Sequence, residues 1–125
     1  MRSPLRPRVL LADDYPELVT AIRGLLAPDC DVVGSVADGD VLLEAAVRLQ
    51  PDVIVLDLNM PNVNGLEACR QITQVNPAIK VIVLTALTDA VIMQKALEFG
   101  ASAFIAKHAI ADDLLSAIKR VCDTA

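Results

Sequence analysis

Four apolar runs, each closing on a polar residue, constrain this chain more than any other feature. Val9-Leu10-Leu11-Ala12 leads into Asp13-Asp14, Val53-Ile54-Val55-Leu56 into Asp57, Val81-Ile82-Val83-Leu84 into Thr85, and Phe104-Ile105-Ala106 into Lys107. Runs of this length and Val/Ile/Leu richness read as strands buried on both faces, which means parallel strands covered by helices. In an open parallel sheet, residues just past the carboxyl ends of the strands open into one crevice. The pattern therefore predicts three carboxylates, a hydroxyl and an ammonium in a single cleft.

Helix patterns alternate with these runs. After the first strand, Pro16 stands where a first helical turn accepts it, and Leu18, Val19, Ile22, Leu25 and Leu26 recur at helical spacing up to Pro28-Asp29. Residues 31–37 read as a second strand and Val41–Leu49 as a second helix, with Pro51 ahead of the third strand. Asn64 and Glu67 have capping-box spacing at the start of a third helix, which ends near Asn76-Pro77. A fourth helix is expected from Asp89 to Phe99, stopped by Gly100, and a fifth from Ala111 to Asp123, with Asp112 and Asp113 favouring its first turn. Five strands and five helices in strict alternation, joined by right-handed crossovers, predict a doubly wound α/β domain over residues 1–125, with helices on both faces. The expected strand order is 2-1-3-4-5, the flavodoxin-like arrangement, with the crevice over strands 1 and 3.

Composition agrees. Of 125 residues 54% are hydrophobic, yet there are only two Phe, one Tyr and no Trp, so Ala, Val, Leu and Ile must build the core. The net charge of −5 argues against direct nucleic-acid binding, which needs clustered cations. The one basic cluster, Arg2, Arg6 and Arg8, reads as a short solubilising tail. No apolar run approaches the roughly 18 residues of a membrane span, and no signal-peptide pattern precedes Asp13. Cys30, Cys69 and Cys122 form neither a CxxC pattern nor a disulfide framework. Cys69 and Cys122 fall in apolar helical stripes and read as small core residues, which suits a reducing cytoplasm.

The chemistry of the cleft follows from its charges. Two carboxylates about 5 Å apart repel by roughly 3 kcal/mol at an effective dielectric near 20. Protonation, a cationic partner or a bound metal must relieve this, and an oxygen-only donor set suits Mg²⁺. An ionised Asp beside such an ion is a competent nucleophile for phosphoryl transfer. Mg²⁺, the Lys107 ammonium and the Thr85 hydroxyl would then meet the charge spread over the phosphoryl oxygens. Ala86 leaves an approach route, and His108 reads as a solvent-facing loop residue.

Over essentially its full length the chain resembles the receiver domain of bacterial two-component response regulators. The resemblance rests on Asp13-Asp14, on Asp57-Leu58-Asn59-Met60-Pro61 with Gly65 following, on Thr85-Ala86 and on Lys107. It implies that Asp57 accepts a phosphoryl group from a sensor histidine kinase. It also implies that Asp14, Asp57 and the Asn59 carbonyl ligate Mg²⁺, with Asp13 acting mainly through water. Phe104 falls on the aromatic switch position, where a shift of Thr85 lets the ring turn inward and alters the surface of helix 4, strand 5 and helix 5. The opening Leu11-Ala12-Asp13-Asp14-Tyr15-Pro16 is similar to NarL-like transcription regulators, whose LuxR-type helix-turn-helix would lie beyond residue 125.

The resemblance thus implies a cytoplasmic switch with self-phosphotransfer and autodephosphorylation as its only reactions. A phosphorylation-dependent homodimer is a further expectation, with DNA contacted only through a following domain. Two departures stand out. His108 replaces the Pro that usually follows the Lys, often through a cis bond, and a cis bond before a non-proline costs about 3 kcal/mol. The switch aromatic is Phe, so no ring hydroxyl is available. Alternatives are a single-domain regulator or phosphorelay intermediate, and an unphosphorylated interaction module. A flavin carrier lacks its phosphate loop and aromatic sandwich here, and a Mg²⁺-dependent phosphatase lacks a second acid where Asn59 stands.

Overall fold

In the computed structural model, which describes residues 6–58, 65–86 and 90–123, strands and helices alternate as the apolar pattern requires. The strands are β1 (Arg8–Ala12), β2 (Asp31–Val36), β3 (Val53–Asp57), β4 (Lys80–Thr85) and β5 (Ala103–Ala106). The helices are α1 (Pro16–Leu26), α2 (Leu42–Leu49), α3 (Gly65–Val75), α4 (Ala90–Glu98) and α5 (Ile110–Asp123). All paired strands are parallel, in the order β2-β1-β3-β4-β5.

Alternation along the strands divides the core. Leu10, Ala12, Ile54, Leu56, Val81 and Val83 face α2, α3 and Ala96 of α4. Val9, Leu11, Val53, Val55, Ile82 and Leu84 face α1 and α5. Every residue of β3 is buried, as its central place demands. Each fully buried Leu or Ile contributes about 2 kcal/mol relative to exposure, and this layer holds the strand ends in a fixed relation.

Boundaries differ from the sequence reading in small ways. β2 ends at Val36, one residue short of the expected limit. A 3₁₀ turn at Gly39–Val41 precedes α2, with the Asp38 side chain accepting from the Asp40 N–H at 2.8 Å. A second 3₁₀ turn, Lys107–Ala109, runs directly into α5. Gln50 closes α2 in the left-handed region (φ 47°) and its N–H reaches Ala46. Gly100 closes α4 with φ +105°, as a helix-stopping glycine should. The proposed cap Asn64, the helix-4 start at Asp89, and Arg2, Asn59, Met60 and Pro61 lie outside the described residues.

The solubilising-tail reading is corrected for Arg6 and Arg8. The Arg6 guanidinium pairs with Asp31 at 2.9 Å and donates to the carbonyls of Ala27, Pro28 and Cys30. Those groups cluster at the α1–β2 turn, where helix-terminal carbonyls otherwise lack donors, so the cation clamps the connection. Arg8 donates to the Leu49 carbonyl at 2.6 Å, at the end of α2.

Candidate functional site

The sheet brings the sequence-distant polar residues together by register. Ala12 lies opposite Leu56, Asp57 opposite Leu84, and Thr85 opposite Ala106. Pairing continues past the strand ends through Asp13 N–H to Val36 O and Leu58 N–H to Leu84 O. Asp13, Asp57 and Thr85 are 4%, 2% and 4% exposed, whereas Asp14 is exposed at the mouth.

One carboxylate oxygen from each of Asp13, Asp14 and Asp57 lies within 4.8 Å of the others. The Lys107 Nζ stands 3.0 Å from Asp57 Oδ2. Asp13 Oδ1 accepts the Tyr15 N–H at 2.9 Å, but its buried Oδ2 has no partner. Burial pushes the Asp13 carboxyl above its ordinary range, and the Asp57 charge adds to this. The Tyr15 N–H and the Lys107 ammonium act in the opposite direction. An orphaned buried oxygen within a hard, oxygen-only trio fits a divalent cation such as Mg²⁺.

Two neighbouring features shape the site. A Cβ on Gly65 would lie 2.9 Å from the Leu58 Cα and 2.8 Å from its Cδ2, so α3 starts directly against the residue after Asp57. Only a residue without a side chain permits that approach. Gly65 stands out in the sequence as part of the Asp57 motif, but this packing leaves no trace there, because the partner is mainly backbone. Thr85 and Phe104 share one sheet face, since Val83, two residues before Thr85, pairs with Phe104. Phe104 is half-buried against the core beneath α2, α3 and α4.

The remaining candidates have ordinary surroundings. His108 is exposed, and no peptide bond among the described residues is cis, so the Lys107–His108 bond is trans. Cys30 and Cys69 are buried and Cys122 is half-buried. Burial pushes the Cys69 and Cys122 thiols up to about 11, and Cys30 also upward, which keeps all three protonated and inert. No helix among the described residues is long and apolar enough to cross a membrane.

A parallel sheet in this order, with carboxylates, hydroxyl and ammonium at its carboxyl edge, matches a known family. The profile of the response regulator receiver domain covers residues 9–119, and the chain belongs to that family. It is 36% identical over 116 residues to the transcriptional regulatory protein DegU of Brevibacillus brevis, an alignment covering 91% of this chain and 49% of that one. It is 37% identical over 112 residues to the nitrate/nitrite response regulator NarL of Escherichia coli K12, covering 88% of this chain and 52% of that one. A crystal structure of a LuxR-family two-component response regulator from Aurantimonas sp. SI85-9A1 superposes with a TM-score of 0.89 at 30% identity. That match covers 94% of this chain and 86% of the other. Within the family the chain is a receiver of the NarL/LuxR type. It spans about half the length of the curated relatives it matches.

Proposed function

We propose that the chain is a phosphorylation-activated switch in which Asp57 accepts a phosphoryl group from the phosphohistidine of a sensor kinase. The observation that carries this reading is the buried Asp57 carboxylate with Lys107 Nζ at 3.0 Å and the Asp13 and Asp14 oxygens beside it. An Asp57 oxygen attacks phosphorus, the P–N bond breaks, and its electron pair leaves with the imidazole. Asp14, Asp57 and the Asn59 carbonyl would hold Mg²⁺ directly, with Asp13 acting mainly through water. The ion would supply positive charge against the incoming phosphoryl oxygens. Lys107 would pair with one phosphoryl oxygen and the Thr85 hydroxyl would donate to another. The Thr85 shift would open space for Phe104 to turn inward and alter the α4–β5–α5 surface.

The chain turns over no separate substrate in this reading; it receives one phosphoryl group and loses it by hydrolysis in the cytoplasm. The output is a DNA-binding domain following residue 125, a proposal supported by relatives about twice as long that are named as transcriptional or response regulators. A phosphorylation-dependent homodimer would show as a doubled mass in light scattering when phosphodonor is added.

The direct test is intact mass after incubation with Mg²⁺ and acetyl phosphate, for wild type and Asp57→Ala. Gain of one phosphoryl group by wild type alone is the expected result. No gain in wild type, or an equal gain in Asp57→Ala, overturns the acceptor assignment.

A further inference from the structure

We infer that the groove between α2 and α3, at the amino edge of the sheet, is a binding site for a compact neutral molecule, one aromatic ring bearing a single oxygen acceptor. A cavity of about 180 Å³ opens there. It lies at the opposite edge of the sheet from the acidic cleft, because Gln50 and Ile79, which line it, come just before β3 and β4. None of its lining residues belongs to the cleft, and nothing here depends on the phosphoacceptor reading. Ala46, Ile72 and Ile79 form its floor, 3%, 1% and 4% exposed. Val47 and Val75 stand at its rim, 56% and 58% exposed. Val is a poor helix former, and at these two positions the chain recovers little of that deficit by burial. A ligand seated between them would cover both.

The lining sets the chemistry of the occupant. Aliphatic walls give water too few hydrogen bonds, and apolar cavities of about 150 Å³ stay dry and take benzene. The larger space here holds such a ring with a small substituent. No charged side chain lines the cavity, and the charged pair of α2, Glu44 and Arg48, is closed on itself at 3.2 Å. An ionised ligand would lose its water without gaining a counter-charge. Asn76 sets the polar end. Its Oδ1 accepts the Ala78 N–H at 3.0 Å, and its carbonyl accepts the Ile79 N–H at 3.1 Å. The group that this side chain still offers is its NH₂, a donor, which calls for an acceptor oxygen on the ligand. The same bonds fix the turn into β4, so the site is formed before a ligand arrives. Gln50 closes the other side with φ 47°, a conformation that Gly or Asn adopts at lower cost. Strain of this kind gathers where a particular side chain is needed at a ligand.

Methyl NMR of the full chain titrated with benzyl alcohol tests this. The methyls of Val47, Ile72, Val75 and Ile79 should shift saturably, with a dissociation constant of about 1 mM, ordinary for so few atoms. Those of Leu114 and Ile118, in the other half of the core, should stay in place. Toluene, which has the ring without the oxygen, should bind severalfold more weakly, and benzoate should not bind. Val47→Lys and Val75→Lys put a charge at the mouth from exposed positions that the fold tolerates. Each should weaken binding severalfold and leave the Leu114 and Ile118 signals at their wild-type positions. Shifts that fail to saturate, or that spread to Leu114 and Ile118, overturn the inference, as does undiminished binding by both Lys variants. Toluene binding as tightly as benzyl alcohol overturns it as well, since the polar end would then contribute nothing.

Discussion

Asp13 carries a cost that the Tyr15 N–H and the Lys107 ammonium only partly offset. It is 4% exposed, one oxygen accepts a single backbone N–H, and the other has no partner. Desolvation, the leading cause, raises its pKa above that of the unfolded chain. A carboxyl raised in this way favours the folded state fully only below its unfolded pKa, and that contribution disappears as pH rises through the folded value. In the metal-free protein, ionised Asp13 therefore lowers stability at neutral pH. Asp13→Asn should raise the urea midpoint at pH 7.5 in chelator, with the advantage shrinking toward pH 4 as the wild-type carboxyl takes up its proton. A variant no more stable than wild type at pH 7.5 would count against the assignment. At this scale the sequence was informative because each carboxylate ends an apolar run. Which oxygen is left without a partner depends on the Asp13–Tyr15 turn, and no spacing rule reveals that.

At the scale of elements, strand ends were legible because long apolar runs stop at a polar residue. The 3₁₀ turns were not, since three residues are too few to display a period. Arg6 was misread for a related reason: most of its acceptors are main-chain carbonyls, which leave no trace in residue pattern. Gly100 was read as a helix stop, but its second constraint is tertiary. A Cβ there would lie 2.6 Å from Thr73 Oγ1 and 3.0 Å from its Cγ2, so the end of α4 rests on α3 through a missing side chain. Gly100→Ala combines this clash with an unfavourable positive φ and should destabilise the fold by about 1–3 kcal/mol in urea denaturation. Adding Thr73→Ala removes the two shortest of these contacts and leaves the residue-73 Cβ at 3.1 Å, so the double variant should recover some of the loss and keep the φ strain. Strictly additive effects would show that the contact plays no part. Phosphorylation of either variant, followed by mass, should persist, because neither residue belongs to the cleft.

The whole molecule explains why residues so far apart in sequence make one site: the crossover connections set β1 parallel beside β3, and both deliver their following carboxylates to the same edge. In the unfolded chain Asp13-Asp14 and Asp57 are separated by more than 40 residues, so the trio exists only after folding. A divalent cation that binds it must therefore stabilise the native state, by RT ln(1 + [L]/Kd), or about 2.7 kcal/mol at a hundredfold excess over Kd. The chain also carries a net charge of −5, and any salt relieves some of that self-repulsion by screening. The two effects separate cleanly. MgCl₂ should raise the melting temperature by several degrees more than NaCl at matched ionic strength, and chelator should reverse the excess. Asp57→Ala and Asp14→Asn should each lose most of the Mg²⁺-specific rise while keeping the response to NaCl. Equal shifts with the two salts in wild type would mean that the three carboxylates gather without forming a cation site.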